Sequence, residues 1–522
     1  MGGLRRIAAV VAGLALVAAG CGGGAPSRDP RSGDVVDTRV PVRWRADGDL
    51  DRVVRARAAA REAARRRAAL AALEDVHTVP AALRRALLSG AIGRDAHARY
   101  RAAYEGARKA ARRLSGARGA EERTVLASVE RLAAEDRLGP SRFRAVFLNL
   151  RRNTRTWTLA PFPLAGERRS FGADPAVFQY VPGRGMQLHP LGSWGKVNWR
   201  LRGCLRRRAG CGERDLRRRL DSLARLAARR GDFVAWEYYY DYAQGSPPWM
   251  SGMAQATAVQ ALSRAARAFH APRYARIARR ALGAFETPPP TGVAVPEDGG
   301  RRFVMYSFAP TLRILNGELQ AVNGLRDAAV LGHSVRALRL VRAGDRAARA
   351  ALGGFDTGAW SLYSAAGPES TLSYHQLTTS ILGQLCQRTA RAEYCRAQRR
   401  FARYEHEPPR IGIAPLRGLW ARRNAPLRFT LSKGSAVQVR VFGPRGLVLS
   451  RDMQLGRGGH DLSWTPPSRG RFRVQVHARG PEGRLGRSDR TVRVVLPKPK
   501  KKPRPPRKRQ GDVGAERGGL AG

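Results

Sequence analysis

Tyr363 and Tyr374 stand eleven residues apart in "LYSAAGPESTLSYHQ" (362–376), and His375 follows the second directly. A phenol ordinarily titrates near pH 10, so at neutral pH it donates a proton readily. It acts as a base only where cations or hydrogen bonds favour the phenolate. Just upstream, Asp356, Thr357 and Gly358 lie in a loop-like stretch, "FDTGAWSLYS" (355–364), and a helix-like run follows the histidine. Tyr, Trp, Gln and Asn are also dense in "WEYYYDYAQGSPPWMSGMAQA" and "FVMYSFAPTLRILNG". Aromatic faces beside amide hydrogen-bonders suit a sugar ring, whose apolar face stacks while its hydroxyls are bonded around the rim.

Other chemistries find little support. The chain has no Walker A loop, no strand-placed GxGxxG, no HExxH and no GxSxG elbow, and its nine histidines are scattered. Glu237 and Asp241 in "WEYYYDY" would share a face if that stretch were helical, and they read as surface or loop-anchoring carboxylates. Paired acids for glycoside hydrolysis can lie far apart in a chain, so that chemistry stays open.

The elements that must position these residues follow from composition and period. At 522 residues several domains are expected. The net charge of +55 reflects 96 Lys and Arg against 41 Asp and Glu, much of it Arg mixed with Ala on solvated helix faces. Such a charge suits nucleic acid, anionic lipid, cell-wall polymer or acidic polysaccharide. "MGGLRR" and the apolar "IAAVVAGLALVAAG" read as an export signal too short to span a membrane permanently. Ending in "AAGC", it resembles a bacterial lipoprotein signal over 1–21, with Cys21 lipidated and 22–47 as a flexible tether. Export to the outer face of the cell membrane, held there by the lipid anchor, makes nucleic acid an unexpected partner.

The four remaining cysteines form two local pairs, Cys204 with Cys211 and Cys386 with Cys395, which predict disulfides in an oxidising compartment rather than a metal site. Residues 48–150 carry a helical period, and "VPAALRRALLSG" and "ASVERLAAEDRLG" each end in a helix-stopping glycine. Over 151–200 aromatics, prolines and glycines predict a β-rich segment. The helical period returns over 201–410, as with Val259, Leu262, Ala266 and Phe269, with Leu312, Leu315, Leu319 and Val322, and with Leu377, Ile381 and Leu385. Helix pairs joined by glycine- and aromatic-rich loops predict an α/α toroid with a cleft at one end. Residues 425–496 alternate apolar and polar, with Val437, Val439 and Val441, then Phe472, Val474 and Val476, on single faces, which predicts a small Ig-like β-sandwich. The cationic tail over 497–522 reads as disordered, suited to solubility or to adhesion on anionic wall polymers. The expected fold is mainly α with β.

Four motifs give a more specific reading. "WMSGMAQA" (249–256) is similar to the W-x-S-A-M-A-Q-G signature of the heparosan D-glucuronyl C5-epimerases. "MYSFAPTLRILNG" (305–317) resembles their tyrosine segment, with Tyr306 nine residues before Leu315 as in the family. "FDTGAWSLYS" looks like their Tyr-Asp-Thr-Gly…Ile-Tyr stretch, and "SYHQLTTSILGQL" (373–385) like their Asp-Tyr-His segment. The motifs occur in family order over about 249–385, and the likeness extends back to "YVPGRGMQLHPLGSWGKVN". It does not cover the N-terminal helices, the β-sandwich or the tail.

This resemblance implies cofactor- and metal-independent inversion at C5 of a uronic acid, D-glucuronate to L-iduronate, within an acidic polysaccharide. It makes Tyr306, Tyr363 and Tyr374 the proton-transferring residues, with Tyr363 and Tyr374 as the opposed pair and Tyr306 assisting. Gln187, Trp249, Gln255, Asn316 and His375 lie in the matching segments and are the expected substrate contacts. Two positions depart from the family: Met305 stands where heparosan-type members carry Glu, and Ala366 where they carry Arg. Arg184, Lys196 and Arg313 are the cations that could replace that Arg. A glycan-binding lipoprotein without catalysis and a uronate lyase are the alternatives, the lyase because a C5 carbanion can expel the O4 substituent instead of being reprotonated.

Overall fold

The computed structural model describes residues 49–172, 174–206 and 211–496. The signal-like segment with Cys21, the tether over 22–47 and the basic tail over 497–522 lie outside the described residues. About half of the described chain is helical, and it divides into two compact units, up to His406 and from Glu407.

Five helices open the first unit: α1 (Asp49–Ala71), α2 (Val79–Leu88), α3 (Arg94–Arg113), α4 (Gly116–Ala134) and α5 (Pro140–Leu159). Two boundaries differ from the sequence reading. The stop after α4 is Asp136, with φ 52°, while Gly139 is the N-cap of α5. The β-rich segment expected from 151 begins later, because α5 continues through "TRTWTL". Thr154, Thr156 and Thr158 each donate their hydroxyl to the carbonyl four residues back, a local bond that lets β-branched residues stay helical. Strands β1 (Arg168–Ser170), β2 (Val177–Val181) and β3 (Gly185–Leu188) then form an antiparallel sheet.

On α4, the buried Glu122 accepts a hydrogen bond from the Thr154 hydroxyl at 2.6 Å. Burial pushes its carboxyl up to about 7 from an ordinary 4.5. A carboxyl raised in the folded state contributes most below the unfolded value, and that contribution is lost as pH rises through the folded value. Glu122→Gln, neutral at every pH, should therefore stabilise the fold at pH 8, by up to the order of 3 kcal/mol, and raise Tm there. It should leave Tm nearly unchanged at pH 4.5. Thermal unfolding at the two pH values checks this, and parallel curves for both proteins would refute the assignment.

Four helix pairs follow: α6 (Pro190–Leu205) with α7 (Glu213–Ala224), α8 (Gly252–Ala268) with α9 (Pro272–Ala281), α10 (Leu315–Val330) with α11 (Val335–Ala351), and α12 (Leu372–Thr389) with α13 (Ala392–Tyr404). The first pair starts inside the stretch expected to be β-rich, and Leu312 lies outside α10. Short ribbons join the pairs: β4 (Ala228–Arg230) with β5 (Phe233–Ala235), β6 (Glu237–Tyr238) with β7 (Trp249–Met250), and β8 (Ala294–Glu297) with β9 (Gly300–Phe303). The structure joins Cys204 to Cys211 and Cys386 to Cys395, with Cα–Cα distances of 5.2 and 4.8 Å.

The first member of each pair is the inner one. α6 packs on α8, α8 on α10 and α10 on α12, and Arg202 of α6 donates to Gln384 Oε1 of α12 at 3.1 Å. α8 and α10 approach so closely at Gly324 that a Cβ there would lie 2.4 Å from the Ala256 carbonyl oxygen. Towards the carboxyl ends of these helices, Asp327 pairs with Arg264 at 2.7 Å and with Arg388 at 2.9 Å. The same guanidiniums bond Asn198 and Asn323. Cations there complement the negative ends of the helices, and a carboxylate shared by two guanidiniums offsets their burial. The outer helices bury narrow stripes, such as Tyr274, Ala278 and Ala281 of α9, and turn arginines outward. Much of the net charge therefore sits on solvated faces.

The second unit contains two sheets around one apolar core. β10 (Ile411–Ile413), β12 (Ala425–Leu431) and β15 (Gly458–Trp464) form one. β11 (Leu419–Trp420), β17 (Leu485–Val495), β16 (Gly470–Arg479), β13 (Ser435–Gly443) and β14 (Gly446–Leu455) form the other, in that order. Val437, Val439 and Val441 face inward, as do Phe472, Val474 and Val476. The unit starts before the expected residue 425, since β10 and β11 belong to its sheets.

Candidate active site

The amino ends of α6, α8, α10 and α12 carry or adjoin an array of tyrosines. Tyr238 of β6 lies opposite Trp249 of β7, with their rings stacked at 4.1 Å. Tyr240 and Tyr242 continue the alternation, and the Trp249 indole N–H donates to the Tyr240 carbonyl at 2.8 Å. The chain turns back at Gly245, where a Cβ would lie 2.2 Å from the Phe308 ring, so only glycine admits that ring. Residues 305–308 run beside β7 through Ser307, whose N–H donates to the Met250 carbonyl and whose hydroxyl accepts from the Met250 N–H. Tyr306 is thereby held 5.4 Å, ring to ring, from Tyr242 and from Phe308.

Tyr363 comes from the loop between α11 and α12, and Tyr374 from the first turn of α12. Their rings meet edge to face at 4.7 Å. Backbone bonds fix the loop: Leu362 N–H to Phe355 O, Tyr363 N–H to Pro368 O and Ser370 N–H to Ser361 O. The Thr371 hydroxyl caps α12 by accepting from the Tyr374 N–H. The Tyr306, Tyr363 and Tyr374 phenols are close enough to act on one another's charge, Tyr363 on both of the others. The Tyr242 hydroxyl is buried without a hydrogen bond of good geometry.

Burial pushes all of these phenols up, Tyr242 to about 12 and Tyr306 and Tyr363 well above 10. Tyr374 is raised too, but two influences oppose the shift: the neighbouring Tyr363 hydroxyl and the guanidinium of Arg168. Arg168 is on β1, where its Nε donates to Gln179 Oε1 across the strand pair at 3.0 Å. It acts on Tyr238, Tyr374 and His189. His189 caps α6, its Nδ1 accepting from the Gly192 N–H at 2.8 Å, and burial with the nearby guanidinium pushes the imidazole down to about 3. It is neutral and carries its proton on Nε2. The positive ends of four helix dipoles add a field that favours negative charge here.

The other expected residues take different places. Trp249 is buried beneath the tyrosines as their packing floor. Gln255 is turned to the backbone, donating to the Val234 and Ala281 carbonyls, and Gln187 is bonded to Asn149 and to the Arg184 carbonyl. His375 stacks on Trp360 at 3.8 Å. Its Nε2–H donates to the Phe401 carbonyl at 2.9 Å, and its Nδ1 accepts from Ser361 at 2.8 Å. Both ring nitrogens thus pin the tyrosine loop, and the expectation of a substrate contact gives way to a positioning role. Asn316, buried in the first turn of α10, keeps an Oδ1 without a partner.

Glu237 is buried, gripped by Arg142 and Arg230, while Arg131 holds both oxygens of Asp241. Both are loop anchors, on a ribbon and loop rather than a helix. Met305 is buried with its sulfur accepting from Ser251, and Ala366 sits at an exposed loop tip with φ 54°. Of the proposed replacement cations, Arg313 pairs with Glu318 and Glu297, Arg184 donates to the Gly183 and Asp241 carbonyls, and Lys196 is exposed. The cation beside the tyrosines is Arg168, one of 96 basic residues and without a motif to mark it. The 238, 240, 242 alternation, legible in "YYYDY", was the signal for the underlying ribbon.

A buried tyrosine array at the shared ends of paired helices, with a cation at its edge, fits a carbohydrate epimerase type of enzyme. Residues 230–403 match the family model of the D-glucuronyl C5-epimerase C-terminus. None of the curated proteins matches the chain.

Proposed function

We propose that this protein inverts C5 of uronic acid residues, D-glucuronate to L-iduronate in type, in an acidic polysaccharide by tyrosine-mediated proton transfer. The observation that carries the reading is the buried cluster of Tyr306, Tyr363 and Tyr374 with the Arg168 guanidinium acting on Tyr374, inside a family-matched domain. Inversion needs an acid and a base about 3 Å from C5 on opposite faces. The Tyr363 and Tyr374 rings meet directly at 4.7 Å and leave little room for a sugar carbon between them, which argues against them as the opposed pair. Tyr306 and Tyr374, each beside Tyr363 and with no ring contact between them, are the pair this scheme uses.

In this scheme Tyr374, as the phenolate, takes the C5 proton, and the carbanion delocalises into the carboxylate. The Tyr306 hydroxyl returns a proton to the other face and becomes the phenolate. Transfer through Tyr363 restores the start, so protons and charge balance. Arg168 supports both the Tyr374 phenolate and the substrate carboxylate, with the helix ends adding to its field. The four helix pairs serve as an α/α toroid with its cleft at this end, and the second unit as an Ig-like spacer. The leader-like start supports an exported, lipid-anchored protein.

The test is proton exchange. The full chain is incubated with uronate polysaccharides in heavy water, and deuterium at C5 is followed by NMR. Uptake on one polymer supports the reading and identifies the substrate. An unsaturated product instead means a lyase, and binding without uptake means a glycan-binding protein.

A further inference from the structure

A cavity of about 680 Å³ opens between the β4–β5 ribbon, α9 with the turn after it, and the start of α11. Five guanidiniums line it, those of Arg230, Arg276, Arg279, Arg280 and Arg336, against the carboxylates of Asp232 and Glu286. Two of the five are structural. Arg230 bonds Glu237 at 2.7 Å and the Pro290 and Thr291 carbonyls at 2.8 Å each. Arg336 holds Glu286 and donates to the Arg279 carbonyl at 3.3 Å. These bonds pin the walls and use the Glu286 carboxylate.

Arg276, Arg279 and Arg280 remain, exposed and in no ion pair among the described residues. At i, i+3 and i+4 they share one face of α9, adjacent turns about 5.4 Å apart. On a convex helix face such arginines would diverge into water. Here they line a concavity in which five guanidiniums face two carboxylates, a positive excess that an entering anion would offset. Guanidiniums bind carboxylate or sulfate in two-pronged fashion. Guanidiniums spread over the ribbon, α9 and α11 suit an extended anionic ligand, which can meet several of them at once, better than a single small ion.

We propose that this cavity is a second, non-catalytic site that holds a segment of an acidic polysaccharide. None of the tyrosine-site residues lines it, and binding there does not depend on turnover at the tyrosines. It would keep a long polymer on the protein between catalytic events.

Binding of heparosan oligosaccharides to the full chain, measured by anisotropy across a salt series, tests this, with inorganic polyphosphate as the second probe. Arg276→Ala/Arg279→Ala/Arg280→Ala should weaken heparosan binding at least tenfold. It should also lower the slope of log affinity against log salt, since anion contacts are lost. Arg99→Ala/Arg112→Ala/Arg113→Ala, which removes equal charge from the exposed side of α3, should change neither by more than about twofold. Equal loss in both variants, or none in the cavity variant, would overturn the proposal, as would loss confined to polyphosphate. Absence of C5 exchange in every protein would count against the proposed activity alone, since binding is read separately.

Discussion

Tyr374→Phe is expected to lower C5 deuterium exchange by about 10²–10⁴-fold, the usual worth of a positioned acid or base. Of the three phenols, Tyr374 alone has a guanidinium opposing the cost of burial. It is therefore the one best able to hold a negative charge. Tyr306→Phe should cost a similar factor, because the opposite face then lacks its proton donor. Tyr363→Phe should cost less, since both terminal groups remain and only the internal return of the proton is lost. All three retain the ring and remove one oxygen, so the packing of Tyr306 on Trp249 and Phe308 and of Tyr363 on Tyr374 persists, and near-ultraviolet circular dichroism can verify it. If Tyr363→Phe were the most damaging and Tyr306→Phe close to native, the opposed pair would be Tyr363 and Tyr374 after all.

Arg168→Ala should lower exchange by about 10²–10³-fold, the scale for losing one preorganised group that stabilises developing charge. The sign of its pH effect follows from the charge. Removing a cation raises the pKa of a nearby phenol, so the alkaline-favoured limb of the rate profile should move to higher pH. KM should rise as well, because the same guanidinium is proposed to meet the substrate carboxylate. Arg168→Lys should recover part of the rate but not the two-pronged grip. Lys196→Ala is the comparison: an exposed cation of α6 whose loss should leave the profile in place. An Arg168→Ala profile that overlays the native one would place the carboxylate contact elsewhere in the cleft.

These two expectations depend differently on sequence and structure. The tyrosines at 306, 363 and 374 were legible because the motifs keep their order and because Tyr306 keeps its distance to the start of α10. The helix pairs were legible from the apolar period of segments such as 259–269, and the inward faces of β13 and β16 from strict alternation. The cysteine pairs, seven and nine residues apart, needed only short loops to close. Boundaries were less visible. "TRTWTL" has strand-like residues, yet threonine hydroxyls bonded to the preceding turn keep it helical.

The polar residues divide in the same way. Gln187, Gln255 and His375 belong to the matching segments, but whether such a side chain faces a ligand or the backbone depends on which carbonyls packing brings near. For all three, packing supplied internal partners. Residue types, their order and their local period thus determined, from sequence alone, a family, its tyrosines and most of the elements that carry them. Tertiary structure decided which cation stands beside them. Arg168 lies about two hundred residues before Tyr374, on a strand no motif covers, and only the packing of that sheet against the helix ends brings their charges together. No period or spacing along the chain encodes that meeting, because it depends on how separate elements pack and not on the backbone geometry within any one of them.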